Sequence, residues 1–120
     1  MIIKTLKTKL VRITPPTKWE DATHRITAIE YVIVDLTTDD GLSGRGLTYT
    51  LGVGASAVRA LIDDYCANVV IGLDARDTEH IWTSLQHHLH RTGSGGINTF
   101  ALSACLLNKT SKRVYCQHFI

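Results

Sequence analysis

Two clusters of residues carry the types and spacing that chemistry needs. In "TLGVGASAV", Thr50 to Val58, the residues Gly52, Gly54 and Ala57 fit G-x-G-x-x-G/A, the turn that brings a backbone close to a pyrophosphate. Asp74 closes "NVVIGLD" 20 residues past Gly54, where an acidic side chain would read a ribose hydroxyl. "HHLHR" supplies His87, His88 and His90, and the i, i+3 pair His87 and His90 shares a helix face from which both could reach a metal. The sequence places no third ligand beside them, and a solvated or capping histidine face accounts for the same residues. Cys66, Cys105 and Cys116 form an odd set without C-x-x-C spacing, which reads as reduced thiols and not as a disulfide framework or zinc site. Cys66 lies on a helix face and is most simply a small buried hydrophobe. Ser43, Ser56 and Ser94 are turn or helix-start residues, and no Ser, His and Asp fall together as a triad.

The elements that must position these groups follow from periodicity. Ile3 to Ile13 alternates with a period near two, as a half-buried strand does. "TPPTKWEDATHR" is a loop by its prolines and polar cluster. "ITAIEYVIVDLTT" reads as a long β-branched strand, "DDG" at Asp39 to Gly41 as a hairpin turn, and "LSGRGLTYTL" as the returning strand. Past Gly54 the period changes to 3.6, with Val58, Leu61, Ile62, Tyr65, Cys66 and Val69 on one face. Gly72 is the expected left-handed cap. A second helix spans about Arg76 to Arg91, with Ile81, Trp82, Leu85 and Leu89 on one side and charges that suit its dipole. "TGSGG" stops it, and a third begins near Ile97 with Phe100, Ala101 and Ala104 spaced for burial. Three strands and then about three helices define an α+β domain built on a three-stranded antiparallel β-meander.

That order weakens the dinucleotide reading. A Rossmann turn follows a strand buried on both faces and opens repeated βαβ units, whereas the strand before Gly52 ends a meander and interleaves Arg45, Thr48 and Thr50. "NVVIG" fits better as the tail of a helix. Two loops remain: "WEDATHR" between the first two strands, and "TYTLGVGAS" between the third strand and the first helix. In a meander both leave the same sheet end. Trp19, His24 and Tyr49 on such loops either pack locally or form a lid over a polar ligand.

Composition bounds the classes. The 120 residues make one domain, 44% hydrophobic and with two prolines, so neither disordered nor short of a core. No apolar run reaches the length of a membrane span, and the alternating N-terminus lacks the apolar core of a signal peptide; a cytoplasmic protein is expected. The net charge of +2 is uneven, because residues 105–120 hold Lys109, Lys112 and Arg113 and no acid. The body is near neutral and has no basic stripe for nucleic acid.

"TTDDGLSGRGLTYT", "VIGLDARDTEHIW" and "HRTGSGGINTFALSA" together resemble the N-terminal capping domain of the mandelate racemase and muconate-lactonizing branch of the enolase superfamily. The resemblance runs from about Ile2 to Ala104. Ile71, Gly72, Asp74, Ile81 and Trp82 keep that family's hhG-x-D-P and Ile-Trp pattern, with Ala75 in place of proline. It implies a cap that lays two loops over the mouth of a (β/α)8 barrel, with Trp19, Thr23, His24, Tyr49 and Leu51 lining a substrate pocket. The glycines then let a specificity loop turn into a helix. The barrel of such enzymes carries the metal ligands and acid/base groups for Mg-assisted proton abstraction beside a carboxylate. After "ALSA" the pattern departs: Leu106 stands where the family has aspartate, and a change of reading frame there would also produce the basic tail.

The expectation is a capping domain over residues 1–104 and a divergent basic tail over 105–120, with the barrel absent. No catalytic, cofactor or metal residue is expected in this chain, and Mg2+ belongs to the barrel of full-length relatives. An acid-sugar dehydratase or racemase-type parent fits the polar loops. The expected partner is such a barrel, with an acid sugar bound only when a barrel is present; the alternative is self-association as an interaction module. Neither nucleic acid nor membrane is an expected partner.

Overall fold

The computed structural model describes residues 1–17, 19–20, 25–93, 95–106, 109–110 and 113–114. In chain order the strands are β1 (Ile3–Ile13), β2 (Trp19–Glu20), β3 (Arg25–Ile26), β4 (Ile29–Thr38) and β5 (Ser43–Thr50). The helices α1 (Ala55–Leu61), α2 (Ala67–Val70), α3 (Thr78–Leu89) and α4 (Ile97–Leu106) follow, and then the short β6 (Lys109–Thr110) and β7 (Arg113–Val114). A π-helical stretch, Ile62–Cys66, joins α1 to α2 with helical dihedrals at each junction, so the three run on as one helix.

The expected meander is β1, β4 and β5. β4 pairs antiparallel with β1 from Ile3 against Thr38 to Ile13 against Ile29, and with β5 from Thr37 against Ser43 to Glu30 against Thr50. Every strand pair among the described residues is antiparallel, and the sheet order is β1-β4-β5-β6-β7. The hairpin turn forms as its sequence requires: Gly41 takes φ +82°, and the Thr38 amide donates to Leu42 O at 2.9 Å. β6 and β7 extend the sheet beyond the meander, which the charge of the tail did not signal.

One face of the sheet is covered by helices. Val32, Val34 and Leu36 alternate into this layer from β4, and Ile3 joins them from β1. Val58, Ile62, Cys66 and Val70 meet them from the first helix, Ile81, Leu85 and Leu89 from α3, and Ala101, Leu102 and Cys105 from α4. Each large aliphatic side chain buried here contributes about 1.5–3 kcal/mol relative to exposure. The first helix is also latched to β1: Arg59 Nε donates to Thr8 Oγ1 at 3.2 Å, and that hydroxyl donates to Asp63 Oδ1 at 2.6 Å.

Four local differences from the sequence reading have physical causes. The long second strand is split at Thr27–Ala28, because Ile26 pairs back onto Trp19 while Ile29 pairs with Ile13. Tyr65, assigned to the buried face, is half exposed. Its helix buries residues at a strict spacing of four, which drifts about 40° per step on a 3.6-residue helix; the wider π turn takes up that drift and swings Tyr65 outward. On α4 Ala101 and Ala104 are buried as expected, but Phe100 is exposed where it lines the groove beside α3. α3 itself begins at Thr78, where Asp77 Oδ1 accepts the His80 amide at 3.1 Å, and it ends in a 3-10 turn, His90–Thr92.

Candidate functional site

The sheet register builds the candidate site. Ile13 opposite Ile29, and Glu30 opposite Thr50, put the end of β1, the start of β4 and the end of β5 side by side. The β2–β3 hairpin and the segment Leu51–Gly54 therefore leave the same sheet end, as a meander demands. Gly52 lies close to the link between β3 and β4: a Cβ there would be 3.5 Å from Ala28 O. Gly52 and Gly54 take φ +86° and +97°, a region closed to most L side chains. Gly54 caps α1, and its carbonyl accepts the Val58 amide at 3.0 Å.

Of the expected pocket residues, Trp19 is placed by its backbone in β2, opposite Ile26. Thr23 and His24 lie outside the described residues. Tyr49 is in strand β5 and not in the loop, because pairing continues as far as Thr50; it points to the uncovered face and is 53% exposed. Leu51 opens the loop and is 47% exposed.

Residues that the sequence reading passed over complete this end. Tyr31 lies opposite Tyr49 with ring centroids 6.3 Å apart, a pairing that counting outward from the Asp39–Gly41 turn would have found. On the helix side a polar row crosses all three strands: Arg12 opposite Glu30, and Glu30 opposite Thr50. Arg12 Nη1 donates to Glu30 Oε1 at 3.0 Å. Glu30 and Thr50 are both buried, and Thr50 Oγ1 has no hydrogen-bond partner among the described residues.

The other tempting residues have structural roles. Arg76 donates to Asp74 through Nε at 3.1 Å and Nη2 at 2.8 Å, and its amide donates to Asp74 Oδ1 at 3.0 Å. These bonds hold the Asp74 carboxyl well below the usual carboxylate range. Asp74 thus closes the turn into α3, and with an antiparallel sheet the dinucleotide reading is set aside. His87 and His90 stack at 5.8 Å, with His90 Nδ1 3.0 Å from His87 O. Among the described residues no group of three or more His, Cys, Asp or Glu could hold a metal. The imidazoles instead border a groove of about 780 Å³ between α3 and α4, walled by Trp82, Leu89, Phe100 and Leu102. No helix among the described residues is long and apolar enough to cross a membrane.

A three-stranded meander, a layer of three helices, and two loops at one sheet end define an α+β domain that presents a loop surface. The chain belongs to the mandelate racemase / muconate lactonizing enzyme N-terminal domain family, whose model matches residues 4–107. It is 38% identical over 104 residues to a 3,6-anhydro-α-L-galactonate cycloisomerase of Streptomyces coelicolor, covering 86% of this chain and 29% of that protein. It is 31% identical over 103 residues to a D-galactarolactone cycloisomerase of Agrobacterium fabrum, covering 86% of this chain and 26% of that one. Among solved structures, a Streptomyces coelicolor racemase with bound magnesium superposes with a TM-score of 0.81 at 34% identity, over 88% of this chain and 31% of that one. The chain therefore spans under a third of the length of each of these relatives.

Proposed function

We propose that the chain acts as the substrate-specificity cap of an acid-sugar enzyme, its two loops closing over a (β/α)8 barrel. Residues 1–104 form the cap in this reading, and Trp19, Thr23, His24, Tyr49 and Leu51 line the distal part of the pocket. The observation that carries it is the convergence of both loops at one sheet end, fixed by the register of β1, β4 and β5. The loops would hold the substrate's hydroxylated end and exclude water, work that needs shape and hydrogen bonds but no titrating group. The described residues do not fit a metal, so a magnesium ion such as the one in the Streptomyces racemase structure would belong to the barrel. His24 and Tyr49 suit a polyhydroxylated acid. Dehydration or racemisation is the favoured chemistry, beside the cycloisomerisation for which the two curated relatives are named.

The test is a chimera in which residues 4–107 replace the matching segment of the Streptomyces cycloisomerase, assayed on a panel of acid sugars and their anhydro forms. The expected result is turnover with an altered substrate profile, and a KM raised about tenfold by Trp19→Ala or Tyr49→Ala, the loss of one good contact. A folded chimera whose profile matches the parent and ignores both substitutions would overturn the reading.

One observation favours a second reading, a self-associating module. Ile13, Leu47 and Tyr49 leave the uncovered sheet face unusually apolar, and Leu51 and Val53 continue that surface into the loop. A sedimentation series over a hundredfold range of concentration decides it: a mass that rises with concentration supports this reading, and a constant monomer removes it.

A further inference from the structure

The helical layer contains a pair of thiols that the capping role does not use. Cys66 closes the π stretch and is 0% exposed; Cys105 lies near the end of α4 and is 4% exposed. α4 packs directly on that stretch, and the two thiols are hydrogen-bonded to each other. Around them the core is aliphatic, built from Val58, Ile62, Val70, Ala101 and Leu102. A lone thiol in such surroundings would be inert, because burial penalises the thiolate. Here the hydrogen bond with Cys105 holds the Cys66 thiol below its ordinary value, and the same bond and burial push Cys105 up.

We propose that Cys66 and Cys105 are an oxidation site: a dithiol that closes to a disulfide between the first helix and α4 when the chain meets a hydroperoxide. The Cys66 thiolate attacks the peroxide, forming an S–O bond and breaking the O–O bond, and the departing oxygen leaves as water or an alcohol after taking up a proton. Cys105 then attacks the Cys66 sulfur, the S–S bond forms, the S–O bond breaks, and the hydroxyl leaves as water with the Cys105 proton. Two thiols lose two electrons and the peroxide gains them. The closed loop of chain runs from the end of the π stretch through α2 and α3 to α4, so oxidation would tie the first helix to α4. Since both sulfurs are buried, small peroxides should react well ahead of bulky disulfide reagents.

The experiment uses the full chain with Cys116→Ser, treated with hydrogen peroxide. The expected product weighs about 2 Da less, the two thiol hydrogens lost. Its tryptic map links the Cys66 and Cys105 peptides, its Tm rises by about 4 °C or more, and dithiothreitol reverses all of it. In a Cys105→Ser variant whose circular dichroism matches the parent, a hydroxyl donor to Cys66 remains but no second thiol, and peroxide should add a single oxygen to Cys66, read as a gain of about 16 Da. Intact thiols after prolonged peroxide would overturn the proposal, as would sulfinic acid on Cys66 without any link. In the unsubstituted chain, a disulfide made preferentially to Cys116 would do the same.

Discussion

Thr50 is the residue whose environment and chemistry disagree most. Its hydroxyl is buried beside the Arg12–Glu30 pair without a partner among the described residues, so its hydration was lost without compensation. Thr50→Val keeps the shape and removes that oxygen; the expected change in urea stability is between zero and a gain of about 1 kcal/mol. Leu85, with no exposed surface in the centre of α3, sets the opposite extreme. Leu85→Ala should cost about 2–5 kcal/mol, lost transfer energy plus a cavity, read as a lower denaturant midpoint with unchanged slope. Charge acts more weakly. Arg45 donates to Asp35 from Nε at 2.7 Å and from Nη2 at 3.1 Å, and these bonds hold the Asp35 carboxyl below its ordinary value. A carboxyl depressed in the folded state stabilises fully above its unfolded pKa of about 3.9, and that contribution fades as pH falls from there through the folded pKa. Asp35→Asn should therefore flatten the acid limb of a stability–pH curve and leave its neutral limb parallel to the parent's.

At the scale of elements, the first helix makes a prediction that a simple helix would not. Its buried side chains, Val58, Ile62, Cys66 and Val70, keep phase only because of the π stretch between α1 and α2. Deleting the exposed Asp64 turns the four-residue spacing into the 4-3-4 pattern of an ordinary α-helical stripe. The deletion variant should retain its far-ultraviolet spectrum and melt within a few degrees of the parent. Loss of folding would mean that the π stretch is fixed by its packing on α4 and not by helix phase alone. The same stretch shows why the fold was legible only in outline. Period-two alternation, the Asp39–Gly41 turn and the left-handed Gly72 are local signals, and each matched its element. Tyr65 carried a correct helical period with the wrong phase, because an inserted turn leaves no mark in composition. The break at Thr27–Ala28 was equally silent: β-branched residues continue through it, and only the competing partners, Trp19 and Ile13, end one strand and begin the next.

Across the whole molecule, the two faces of the sheet have different fates. The helix side is closed by aliphatic packing. The other side of an antiparallel sheet ordinarily meets water with polar side chains, yet here Leu47 and Tyr49 project from β5 beside Tyr31, and Val53 at the loop tip is 85% exposed. Sequence alternation predicted which end of the sheet would carry the loops, because connectivity fixes that. Counting outward from the turn would also have set Tyr31 opposite Tyr49 and Glu30 opposite Thr50, but nothing in the pattern marks Glu30 as buried. An apolar dye tests whether this surface is a real binding face of the folded chain. Leu47, Leu51 and Val53 are each about half exposed or more and contribute little to the core, so Leu47→Thr, Leu51→Ser and Val53→Ser combined should leave the melting temperature within a few degrees. Dye fluorescence on the native chain should fall by about half, since contiguous apolar area is what such dyes report. If it does not fall, the dye occupies the α3–α4 groove, and Phe100→Ser, which alters that groove's wall, should abolish the signal instead. The first outcome places the molecule's exposed apolar surface at the loop end of the sheet, as the proposed capping role requires; the second moves it to the helices.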